Sequence, residues 1–103
     1  MIGKTKMALL AVPFAIATFA AAAQAYTGEQ LATGAHITMA QASAIALKAR
    51  PGIITDRELE REGGGSGLRY SFDIRHHGVT YEVGVDAMDG KVLENSREGA
   101  HPD

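Results

Sequence analysis

The chain of 103 residues has no cysteine and no tryptophan, only three prolines, and aromatics at 6% of its length. Without cysteine no disulfide braces the fold, no thiol acts as nucleophile or metal ligand, and no amino-terminal cysteine is open to lipid modification. The chain also lacks any run of like charge: ten Lys and Arg stand against twelve Asp and Glu. Arg57, Arg61, Arg69 and Arg75 alternate with acids instead of clustering, so the counterion release that drives phosphate-backbone binding has no basic patch to act through. No nucleic-acid partner is expected.

One long apolar run is present. Met7 to Ala23 carries no charge, follows Lys4 and Lys6, and leads into Ala23-Gln24-Ala25, small residues of the kind a signal peptidase accepts. The run is short for a bilayer-crossing helix, is interrupted by Pro13 and consists largely of alanine. Residues 1–25 therefore read as a signal peptide cleaved after Ala25, with a periplasmic or secreted product that keeps no membrane segment. Removing Lys4 and Lys6 leaves eight basic residues against twelve acidic ones and moves the formal charge from -2 to -4. What remains, 103 less 25 or 78 residues, is enough for one domain with a thin core, worth about 3–5 kcal/mol net.

Residues 26–36 show no apolar period and read as a flexible lead-in. Thr38 with Gln41 forms a capping box, with Ile37 and Ala42 as its hydrophobic staple. Over Met39 to Arg50 the residues Met39, Ala42, Ile45, Ala46 and Ala49 share one helical face, whose small side chains suit close approach to a sheet. Leu47 lies off that stripe and reads as an exposed leucine. Lys48 and Arg50 suit the helix dipole, and Pro51-Gly52 ends the helix.

Beyond the stop the period becomes two. Ile53 to Glu62 is a first strand in which Asp56, Glu58 and Glu60 alternate with Arg57, Leu59 and Arg61, an edge that is either guarded by charge or open to a partner. The loop Gly63-Gly64-Gly65-Ser66-Gly67 supplies positive φ without a packing demand, and it lacks the Lys and Ser or Thr of a phosphate loop. Leu68, Tyr70, Phe72 and Ile74 mark a second strand. Val79, Tyr81, Val83 and Val85 mark a third, after the turn His76-His77-Gly78. Asp89-Gly90 turns into a short fourth strand at Lys91-Val92-Leu93, and residues 96–103 read as a polar tail. The fold class is α+β: one amphipathic helix packed on a three- to four-stranded antiparallel meander, with the other sheet face in water because only one helix is available as cover.

Few side chains offer chemistry. His76 and His77 are candidate metal ligands or pH-responsive groups, with His36 or His101 as further donors, although neighbours on a strand point to opposite faces. Asp86 and Asp89 do not match a calcium loop, since Met88 stands where the pattern needs Asp or Asn, and they read as turn formers. Ser43, Ser66, Ser71 and Ser96 lack a nucleophile elbow. The strand carboxylates have Arg and water as neighbours, so no raised pKa of the kind a general acid needs is expected. No enzyme activity and no cofactor are anticipated.

Gln41-Ala42-x-x-Ile45-Ala46-Leu47, then Pro51-Gly52, then Tyr81-Glu82-Val83 and Val85-Asp86-Ala87-x-Asp89-Gly90-Lys91-Val92-Leu93 resemble a PepSY domain over residues 37–95. The signature positions are Thr38, Ala42, Ile45, Ala46, Pro51, Gly52, Tyr81, Val83, Asp86 and Gly90. PepSY domains occur in propeptides of thermolysin-type metallopeptidases, in membrane-associated bacterial proteins and as small exported proteins. The resemblance implies a non-catalytic module that binds or restrains a peptidase or another envelope protein. No peptidase follows in this sequence, so such an enzyme would be met in trans. A periplasmic metal or pH sensor and a self-associating accessory domain are the alternative expectations.

Overall fold

The structure is a computed structural model that describes residues 25–99. The apolar run before Ala25 and the end of the polar tail, including His101, lie outside the described residues. Among the described residues a single α-helix, α1 (Met39–Ala49), precedes four strands, β1 (Ile53–Arg61), β2 (Leu68–His76), β3 (Val79–Asp86) and β4 (Val92–Arg97). The strands form an antiparallel meander in the order β1-β2-β3-β4. The helix begins where the sequence places it: Thr38 Oγ1 accepts from the Gln41 amide at 3.1 Å, and the Gln41 side chain accepts from the Thr38 amide at 2.9 Å.

Register explains the core. Leu59 lies opposite Tyr70 and Tyr70 opposite Val85, Phe72 opposite Val83, and Ile74 opposite Tyr81, so these side chains share one face of the sheet. Helix α1 lies on β2, β3 and β4 of that face. Ala42 and Ala46 are completely buried against it. Ile45, Met39 and also Leu47 pack on the same core, so Leu47 is not the exposed leucine its position off the alanine stripe implies. At the helix end the Arg50 guanidinium stacks over the Tyr81 ring at 3.9 Å and donates to Asn95 Oδ1 at 3.0 Å, while Asn95 donates back to the Ala49 carbonyl.

Three further expectations change. The lead-in forms a 3₁₀ helix, Glu29–Gly34, that contacts β1, and Tyr26, Leu31, Ala32 and Ala35 pack on the core. Thr27 bridges Glu58 in parallel, and its carbonyl accepts from the Leu59 amide at 2.9 Å. The 3₁₀ helix thus covers β1 where α1 does not reach. The reason it escapes a sequence reading is its three-residue turn, which gives no 3.6 period. Second, β4 does not stop at Leu93. It pairs with β3 through Arg97, because Glu94 and Ser96 continue the ladder with Gly84 and Glu82, and the tail therefore begins later than residue 96. Third, the glycine loop does carry a packing demand: a Cβ on Gly65, at φ +55, would stand within 2.9 Å of Leu93 Cδ1.

Since Ala46 touches the sheet with no space beside it, Ala46→Leu should cost about 1–3 kcal/mol by overpacking. Ala44→Leu on the exposed helix face should be close to neutral. Urea denaturation of the two variants checks the pair.

Candidate functional site

The opposite sheet face has no covering element among the described residues. Its composition follows from the same register. Asp56 pairs with Asp73 and Asp73 with Glu82; Glu58 lies opposite Ser71; Glu60 lies opposite Arg69; Gly84 lies opposite Glu94. Every one of these side chains points away from the helix. Arg57 and Arg61, which alternate with the acids in sequence, lie opposite Phe72 and Leu68 and so belong to the other face. The acids of β1 lose their neighbouring cations to the far side of the sheet. On the strands of this face Arg69 and Arg75 are the basic residues.

Arg69 is committed inside the structure. Its side chain is 9% exposed, its Nη1 meets Glu94 Oε1 at 3.3 Å, and its Nη2 donates to the Gly63 carbonyl at 3.2 Å. It reaches Glu94 by lying flat across β3 at Gly84, where a Cβ would stand 2.9 Å from Nη1. Its buried Nε has no hydrogen-bond partner. Apart from Glu94, the acids of this face have no cation partner among the described residues. Glu58, Glu60, Glu62, Asp73, Glu82 and Glu94 ring a shallow open hollow of about 370 Å³.

The titration of these groups departs from the sequence expectation. Glu58 is held above the usual carboxylate range by partial burial and then by the charges of Glu60, Asp56, Asp73 and Glu62. Partial burial, then Glu94, Asp73 and Glu98, raises Glu82; partial burial, then Glu98 and Asp56, raises Asp73. A hydrogen bond with Glu60 is the leading cause for Glu62, against an opposing pull from Arg69. The arginines that a linear reading sets beside these acids cannot relieve them, because β pairing puts Arg57 and Arg61 on the wrong side.

Asp86 behaves in the opposite sense. It is 2% exposed, and burial alone would raise its pKa, but hydrogen bonds from the amides of Met88 and Ser66 (2.8 and 2.7 Å) and from the Ser66 hydroxyl (2.8 Å) lower it overall. It is a turn former, as its sequence context suggests, and it also ties the glycine loop to the β3–β4 turn. The sequence offers no cue to that contact across twenty residues.

The other candidates are placed plainly. Ala42, Ala46 and Val83 are core, Ile45 packs at its rim, Tyr81 is half-buried beneath the Arg50 guanidinium, and Gly90 turns beside Ile45 Cδ1. Pro51 and Gly52 form the exposed link from α1 to β1. His76 and His77 stand edge to face with ring centroids 4.2 Å apart. Among the described residues no three His, Asp or Glu side chains come together as a metal site. Ser66, Ser71 and Ser96 donate to Asp86, Glu60 and Glu94, not to a histidine, and the Ser43 hydroxyl is buried without a partner. No helix among the described residues is long and apolar enough to cross a membrane.

The two kinds of carboxylate fix the pH profile. Stability contributed by the raised groups, Glu58, Glu62, Asp73 and Glu82, is fully present below their unfolded values and lost as pH rises through their folded ones. The contribution of Asp86 is present above its unfolded value and lost as pH falls through its depressed folded one. Melting temperature should therefore rise as pH is lowered from neutral towards the ordinary glutamate value of 4.5 and fall at still lower pH. Asp86→Asn should cost about 1–3 kcal/mol at neutral pH by setting an NH2 donor against the Ser66 amide that Oδ2 now accepts from, and should flatten the acid limb. Circular dichroism melts across pH check both.

Comparison with known proteins adds one match: the family described as peptidase propeptide and YPEB domain, PepSY, over residues 37–95. No curated protein and no solved structure matches the chain significantly. The match spans α1 and all of the strands up to Asn95, so the helix-on-meander unit with its bare acidic face is a PepSY domain, and the chain belongs to that family.

Proposed function

We propose that the chain is an exported, non-catalytic binding module that restrains a peptidase, or holds another envelope protein, in trans. The observation that carries this reading is a sheet face, acid-lined and without cover among the described residues, on a domain of a peptidase-propeptide family. A propeptide-type domain acts by occupying a surface of another protein, and a face whose charges repel one another gains most from an occupant. Among the described residues the Ser66 and Ser71 hydroxyls donate to carboxylates, the geometry of a binding surface. Export follows from the apolar run after Lys4 and Lys6, with cleavage after Ala25 placing Tyr26 at the new amino terminus, where its ring lies 6.5 Å from Tyr70.

Titrating the purified processed chain into the zinc-metallopeptidase activity secreted by its own host should lower that activity to a plateau at a fixed molar ratio. Activity unchanged at excess protein would remove the peptidase from the reading. Mass spectrometry of the exported chain should find Tyr26 as its first residue; a product starting at Met1 would refute processing.

A further inference from the structure

The sheet has two edges, and they are not alike. The outer side of β1 is occupied near its middle, where Thr27 pairs with it, and a register shift between Ile54 and Asp56 bends its start. Such bulges and covers are the usual means of closing an edge. Nothing among the described residues pairs with the outer side of β4. The Glu98 amide donates to the Thr80 carbonyl at 2.9 Å, which makes Glu98 and Thr80 a hydrogen-bonded pair. In an antiparallel ladder such pairs alternate with pairs whose amides and carbonyls point outward. Ser96 and Glu94 therefore bond to β3, while Asn95 and Arg97 direct their N–H and C=O groups away from the sheet.

The two faces beside this edge differ in charge. Glu94, Glu98 and, one strand in, Glu82 lie on the acidic side, whereas Arg97 and Arg50 lie on the helix side. A strand added along β4 would alternate its side chains between these two environments.

We propose that the open edge of β4 accepts an extended segment of a partner protein as a fifth strand, with Lys or Arg at alternate positions laid over the acidic face. The proposal rests on the binding-module reading and names the chemistry of its partner. Main-chain hydrogen bonds to Asn95 and Arg97 supply the register, and the acids select cations on one side only, since cations on the other side would meet Arg97. A second copy of the chain is a poor occupant: edge-to-edge pairing about a two-fold axis normal to the sheet sets the two acidic faces side by side and, centred on Ser96, puts Glu94 of each copy opposite Glu98 of the other. The raised carboxylates agree with this choice, because a cationic neighbour offsets the partial burial and the carboxylate repulsion that raise them.

Two synthetic peptides of one composition test it, one with Lys alternating with Thr and Val, the other with the same lysines in a block. By fluorescence anisotropy on the full chain the alternating peptide should bind at least about tenfold tighter, a gap of roughly 1.4 kcal/mol, and Glu82→Gln with Glu98→Gln should weaken it. Arg97→Pro, which removes an outward amide and no β3 hydrogen bond, should abolish the preference. As a control independent of variant folding, N-methylation of the alternating peptide along its ladder-facing amides should do the same. Equal affinity for both peptides, a preference that survives Arg97→Pro or N-methylation, or a dimer in light scattering would overturn the proposal. An Arg97→Pro chain that still lowers the peptidase activity would overturn the edge and leave the module standing; an unaltered chain that binds the alternating peptide yet inhibits nothing would do the reverse.

Discussion

Everything in this domain depends on how closely α1 can lie on the sheet. Ala42 and Ala46, with no exposed surface left, bring the helix axis down onto the Tyr70, Phe72, Val83 and Val85 side chains. A short chain with no disulfide has few other means of excluding water from those rings and branched side chains. Larger residues at the two alanines would lift the helix and open the face they seal. The clamp at the helix end, Arg50 over Tyr81 and against Asn95, then fixes the direction in which the helix crosses β4. It also ties the edge strand into the fold from the helix side, leaving its outer hydrogen-bonding groups free.

The cover is limited, and that limit generates the site. The one α-helix and two turns of 3₁₀ structure among the described residues are enough for a single face, so the reverse of every strand meets water. Water alone would permit any polar residue there. What accumulates is acid, and the pairing of β1 with β2 turns Arg57 and Arg61 to the opposite side. The face is left with Arg69, whose guanidinium is spent on Glu94 and the Gly63 carbonyl, and Arg75 at its far end. Fold and electrostatics are thus two results of one register.

The sequence makes the periodic parts of this architecture plain. Capping by Thr38 and Gln41, the alanine stripe, the alternation from Leu68 to Ile74 and from Val79 to Val85, and the Asp89-Gly90 turn are local signals, and each appears where the pattern puts it. What is not legible is whatever depends on a second segment. The 3₁₀ helix has no period of its own and is held by β1. The length of β4 is set by its partner strand, since Ser96 and Arg97 look like a tail until β3 pairs with them. Leu47 looks exposed because a stripe of small residues understates how wide a buried face becomes when the helix sits low. The acidity of the bare face is hidden for the same reason: within β1 acids and arginines alternate evenly, and only cross-strand pairing sorts them.

The most direct test is native-state amide exchange along β4 in the unliganded chain. The account predicts alternation: Glu94, Ser96 and Glu98 amides protected by their bonds to β3, Asn95 and Arg97 exchanging freely, and the Leu59 amide at the other edge protected by Thr27. Equal protection at Asn95 and Arg97 would mean that the edge is already covered, and free exchange at Ser96 would mean that the fourth strand is absent; either result contradicts it.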